Sequence, residues 1–153
     1  MGVLSSFFTN FATMEFRTIV NIPHPDFEIQ PCEKIRFVGS CFADNIGKRF
    51  EEEKFRTTIN PFGVMYNPVS ILHTVMRKEG ESFDTAVLTL GTNHVYIEKV
   101  TGTVVDNCQK RPQNLFEERV LTVEQCTEAL RGVVAALRKG NPNIKIILTV
   151  SPI

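Results

Sequence analysis

Hydrophobic positions along the chain change their spacing several times, and each change marks an element. Residues 15–22 alternate apolar and polar as a half-buried strand does, and Pro23-His24-Pro25 then imposes an extended connector. Residues 34–39 (KIRFVG) are a short apolar run, predicted as a buried strand that stops at Gly39-Ser40. From Phe42 the spacing turns helical: Phe42, Ile46 and Phe50 fall on one face, and Asp44 suits the positive end of the helix dipole. Residues 56–59 read as a weak short strand closed by Asn60-Pro61-Phe62-Gly63. Asn67 caps a second helix with Pro68 in its first turn, Val69, Leu72, Val75 and Met76 as its buried face, and Gly80 at its end. Residues 84–90 (DTAVLTL) are another apolar strand ending in Gly91, and residues 95–105 read as a hairpin turning at Thr101-Gly102.

The strongest helical signal covers residues 123–139. Thr122 caps it and Gln125 completes a capping box. Val123, Cys126, Leu130, Val133, Val134 and Leu137 form the apolar stripe, and Gly140 and Pro142 stop it. Residues 145–150 (KIILTV) are a last apolar strand. Continuous apolar strands separated by amphipathic helices predict an α/β fold whose mainly parallel sheet is covered on both faces. No helix follows the last strand, so the domain is expected to be incomplete at its C-terminal end.

Composition narrows the picture. With 153 residues, 42% apolar and 22% charged, the chain fits one globular domain or part of one. Seventeen basic side chains balance seventeen acidic ones, leaving no electrostatic footprint for nucleic acid or an anionic membrane. No run approaches the roughly 20 apolar residues of a membrane span. Residues 1–13 contain no Lys or Arg, and they read as a disordered or spurious leader before a domain over 14–153, with Met14 as the alternative start. Cys32, Cys41, Cys108 and Cys126 are widely spaced, with no C-x-x-C pair and no metal-ligand pattern. The expectation is a cytoplasmic protein with reduced thiols, no metal and no cofactor.

Ligands of parallel α/β sheets bind beyond the carboxyl ends of the strands. Three such ends carry short polar signatures: Gly39-Ser40-Cys41, Gly91-Thr92-Asn93-His94 and Ser151-Pro152, and the Asn60–Gly63 turn belongs to the same rim. Ser40 lies between a strand and a helix start, where free amides favour negative charge. Two readings stand side by side: Ser40 caps the helix, or its hydroxyl attacks an ester and the amides of Ser40 or Cys41 receive the oxyanion. Gly63 offers an unobstructed backbone N–H and Asn93 a side-chain NH₂ as further donors. Cys41 is either a small buried hydrophobe or a reactive thiol at a helix N-terminus. Of the histidines, His24 lies between prolines, His73 within a helix and only His94 at the rim.

The words Gly39-Ser40-Cys41-Phe42-Ala43, Asn60-Pro61-Phe62-Gly63 and Tyr66-Asn67-Pro68 resemble the GSCFA domain family, which is similar to the SGNH (GDSL-type) hydrolases. The likeness continues through Leu90-Gly91-Thr92 and Val95-Tyr96 to Thr149-Val150-Ser151-Pro152. It implies a three-layer α/β/α sandwich of SGNH-hydrolase or flavodoxin-like kind, with Ser40 as nucleophile and Gly63 and Asn93 as oxyanion donors. It also implies a small-molecule or carbohydrate ester substrate handled by hydrolysis or acyl transfer. Two departures follow. The Asp-x-x-His pair that activates serine in that group is absent, so this chain alone is expected to be inactive, and the connection between Gly80 and Asp84 is shorter than is usual in the family. The runner-up reading is a non-catalytic module that holds an anion at the Ser40 turn, although no G-x-x-x-x-G-K or G-x-G-x-x-G loop is present. A third is self-association through the uncovered edge of the sheet.

Overall fold

A computed structural model describes residues 21–77, 80–108 and 111–151. The leader and most of the strand expected at 15–22 lie outside the described residues, and Asn21 and Ile22 carry no regular structure. Four parallel strands form the central sheet: β1 (Lys34–Gly39), β2 (Arg56–Ile59), β3 (Thr85–Leu90) and, at the end of the chain, Lys145–Val150. Between β3 and that last strand lie β4 (His94–Glu98), β5 (Val104–Val105) and β6 (Phe116–Val120), so the last strand is β7. The helices are α1 (Cys41–Glu52), α2 (Pro68–Met76) and α3 (Val123–Gly140).

The strand order β2-β1-β3-β7 is that of a doubly wound sheet: the chain moves outward from β1 to β2, then returns past β1 to β3. Helices cover both faces. Val38, Ala86 and Leu88 pack with Ile71 and Val75 of α2 and Val133 and Leu137 of α3. Ile35, Phe37 and Val87 pack on the other face with Ala43, Ile46 and Phe50 of α1. The α/β class and the coverage of both faces follow the sequence reading. Continuous burial suits the sheet interior, where β1 and β3 are almost wholly buried. β7 pairs with β3 alone among the described residues, so Leu148 and Val150 on this edge strand are exposed.

Three local patterns differ from expectation. The buried face of α2 is Ser70, Ile71, Thr74 and Val75, while Met76 is exposed. This helix packs on the sheet and on α3 together, with the Leu72 side chain against Gly132, which turns the buried arc away from the predicted stripe. Phe42 and Val123, in the first turns of α1 and α3, are exposed rather than in the core. The region after Gly91 is a three-stranded antiparallel sheet, not a lone hairpin: β4 pairs with β5 on one side and with β6 on the other. The sequence of β6, FEERV, buries only Phe116 and so gives no apolar run to read.

Candidate functional site

The carboxyl ends of β1 and β3 meet where the strand order reverses, and Ser40 sits at that point. Gly39 is opposite Thr89 in the parallel register and has φ of 142°, in the region that glycine alone adopts readily. A Cβ on Gly39 would stand 2.1 Å from the Thr89 carbonyl oxygen, so this close approach of two backbones needs the missing side chain. The Gly39 amide donates to Asn60 Oδ1 at 2.9 Å, and Asn60 itself takes φ of 37° to begin the Pro61–Gly63 turn.

Ser40 is the N-cap of α1. Its Oγ accepts from the Phe42 amide at 3.3 Å and shares a 2.9 Å hydrogen bond with Thr89 Oγ1, in which either hydroxyl can donate. Its own amide donates to both Thr89 Oγ1, at 2.8 Å, and the Thr89 carbonyl oxygen, at 3.1 Å. Capping is therefore realised in the structure. The residue is 9% exposed, and it opens on a cavity of about 590 Å³ walled chiefly by Phe42, Tyr66, Leu90, Gly91 and Val150. The cavity is predominantly apolar, and among the described residues neither Lys nor Arg lines it. Cys41 lies in the same wall and is exposed, not tucked behind the turn as a small core residue.

The other expected donors lie elsewhere. The Gly63 amide closes its own turn on the Asn60 carbonyl oxygen at 2.8 Å. Asn93 Nδ2 donates to the Leu121 carbonyl oxygen at 3.1 Å, tying the start of β4 to the start of α3. Neither residue lines the Ser40 cavity; Asn93 and His94 line a neighbouring one of about 410 Å³ that shares Leu90, Gly91, Val150 and Ser151 with it. His94 is held by Glu118, with Nδ1 2.5 Å from Oε1, and His73 by Asp106 at 2.7 Å. No described side chain with basic character is hydrogen-bonded to Ser40 Oγ. Thr89, the principal partner of Ser40, was not among the predicted site residues. Its only sequence signal is a polar residue at the end of an otherwise apolar strand.

The rim is braced by backbone bonds. Met65 donates to the Gly39 carbonyl oxygen, and the amides of Gly91 and Thr92 both donate to that of Tyr66, at 2.9 and 3.0 Å. A Cβ on Gly91 would lie 3.1 Å from Tyr66 Cδ1 and 3.8 Å from Ser40 Cβ, so the Tyr66 ring leans on this glycine beside Ser40.

A doubly wound sheet with a helix-capping serine at its switch point defines an α/β protein, a class whose ligands bind beyond the carboxyl ends of the strands. The family model of the GSCFA family matches residues 34–82 and 74–153, two overlapping segments, and the chain belongs to that family. No match was found among curated proteins, and none among solved structures. Among the described residues no helix is long and apolar enough to cross a membrane.

Proposed function

We propose that the domain is a serine-dependent hydrolase or acyltransferase acting on an ester or O-acyl group. The observation that supports this most directly is the Ser40 hydroxyl, which stands at the switch point, at the positive end of α1, and opens on an apolar cavity. Phe42, Leu90 and Val150 suit an acyl chain, and a wall with neither Lys nor Arg among its described residues favours a neutral ester over a bound anion.

In this reading Ser40 Oγ forms a bond to the acyl carbon as its proton passes to a general base. The carbonyl oxygen becomes an oxyanion facing the first amides of α1, that of Cys41 and, once it releases Ser40 Oγ, that of Phe42. As the oxyanion collapses, the ester C–O bond breaks and the alcohol leaves with the proton held by the base. Attack requires the Ser40 proton to point at the base, which the bond with Thr89 permits when the Thr89 hydroxyl is its donor. A serine hydroxyl is a weak nucleophile until its proton is taken. No described basic side chain is hydrogen-bonded to Ser40 Oγ, so turnover in this reading depends on a base that reaches the hydroxyl across the open side of the cavity.

Reactivity of the serine is tested by incubating the chain with a fluorophosphonate, with imidazole in the buffer as external base, and mapping the adduct by mass spectrometry. The expected adduct is on Ser40, absent after heat denaturation and in Ser40→Ala, and kept in Cys41→Ala. An adduct elsewhere, undiminished labelling of Ser40→Ala, or no adduct on the native chain overturns the reading.

A further inference from the structure

The 2.9 Å hydrogen bond between Ser40 Oγ and Thr89 Oγ1 can run in either direction, and the hydroxyl that donates decides where the serine proton lies. The surroundings of Thr89 fix the direction. Thr89 is 1% exposed on the buried strand β3, so solvent does not reach its hydroxyl. Its Oγ1 already accepts from the Ser40 amide at 2.8 Å. Among the described residues, Ser40 Oγ is the one acceptor within hydrogen-bonding distance of that hydroxyl. If Thr89 accepted the serine proton, its own buried proton would be left without a partner, which costs free energy. Ser40 is not so constrained, because it lines the cavity and its proton can point into open space. Donation from Thr89 to Ser40 therefore leaves no buried hydroxyl proton unpartnered, and the reverse leaves one.

In that direction Ser40 Oγ accepts two hydrogen bonds, from the Thr89 hydroxyl and from the Phe42 amide at 3.3 Å. Donors aimed at an oxygen favour its ionised form. These two also occupy both lone pairs of the neutral hydroxyl, so the electron pair left by the departing proton is the one free to attack.

We propose that Thr89 is a positioning residue for Ser40: its hydroxyl turns the serine proton into the cavity and steadies the charge on Oγ as that proton leaves. Thr89 is not in the cavity wall and acts only through Ser40. Gly39 makes the contact possible, since a Cβ there would lie 2.5 Å from Thr89 Oγ1. Cys41 and Tyr66 are the titratable side chains among the described residues of the wall, and no carboxylate, His, Lys or Arg stands with them to set the charge on Oγ instead. What the positioning serves rests on the serine reading; the direction of the hydrogen bond does not.

Two measurements test this. In the first, Ser40 is labelled with a fluorophosphonate in imidazole buffer: the Oγ–P bond forms as the P–F bond breaks, fluoride leaves, and the serine proton passes to imidazole. Thr89→Val deletes the hydroxyl at similar volume and should label about tenfold more slowly than the wild type, while Thr89→Ser should recover most of the rate. Circular dichroism checks folding, and Thr89→Ala takes the place of a valine variant that does not fold. In the second, Ser40→Cys in a Cys41→Ala background is alkylated with iodoacetamide across pH, and the modified peptide is followed by mass spectrometry. Adding Thr89→Val should raise the apparent pKa of the introduced thiol by about 1 unit, because its thiolate loses a donor, and adding Thr89→Ser should not. Equal labelling of the wild type and the folded hydroxyl-free variant, equal thiol values with and without the Thr89 hydroxyl, or no recovery with Thr89→Ser overturns the inference. A wild type that takes no label on Ser40 removes the serine chemistry alone, and the thiol comparison then decides the Thr89 contact by itself.

Discussion

Gly39 and Ser40 carry two demands that a single residue could not. Gly39 lets β1 and β3 come together at the turn, and Ser40 begins the helix that leaves it. Gly39→Ala should destabilise the protein by at least about 3 kcal/mol, since it adds strain at positive φ to a backbone clash. Urea unfolding measures this, and an unchanged midpoint would mean the two backbones are not in contact. A glycine and a cap-type serine between a strand and a helix are legible in the sequence, because both act on their nearest neighbours. Their partner Thr89 is not, because a hydrogen bond across 49 positions leaves no local pattern. The same limit applies to Gly63 and Asn93: each carries a donor, but the bonds to Asn60 and Leu121 that occupy those donors come from the fold.

At the scale of elements, capping and periodicity gave the helices, and contact decided which arc of each was buried. The α3 capping box is present as read, with Gln125 Oε1 accepting from the Thr122 amide and Thr122 Oγ1 from that of Gln125. Thr122→Ala should lower stability by about 1 kcal/mol, seen as a lower melting temperature. In α1, Gly47 is buried where the helix crosses β2, and a Cβ there would meet the Ile59 side chain at 2.8 Å. Gly47→Ala should therefore destabilise by about 1–3 kcal/mol although alanine is the better helix former, because overpacking outweighs a propensity gain of about 1 kcal/mol. A stabilised variant in thermal melts would mean that Ile59 moves aside freely. Phe42 and Val123 fall on the correct stripes and are exposed all the same. Periodicity locates a face, but not where the surface it packs on ends.

Across the whole molecule the two ends of the sheet do different work. The carboxyl ends hold the Ser40 cavity and its neighbour beside Asn93, while the amino ends are tied by polar contacts: Glu33 pairs with Lys145 and accepts from Thr85 Oγ1, and the Lys34 amide donates to Asp84 Oδ2. The Lys145 hydrogen bond holds the Glu33 carboxyl below its ordinary value of 4.5, with the Thr85 hydroxyl acting in the same direction and desolvation opposing both. A carboxyl whose folded value is depressed gives its full contribution above the unfolded value and loses it as pH falls through the folded one. Glu33→Gln should accordingly cost about 1–2 kcal/mol at pH 7, and its stability should fall less steeply than the wild type's below pH 4.5. Denaturation at pH 7 and at pH 3 checks this, and parallel losses in the two proteins would remove Glu33 from the acid response.

The order of the four central strands and the three helices, the capped starts of α1, α2 and α3 and the serine at the first turn were all determined by the sequence, because they depend on side chains a few positions apart. Tertiary structure alone decided that β7 lies at an edge, that FEERV becomes a strand beside β4, and that Thr89 bonds to Ser40. Those outcomes depend on which distant segments pair, and pairing energy is shared between partners that neither segment specifies by itself.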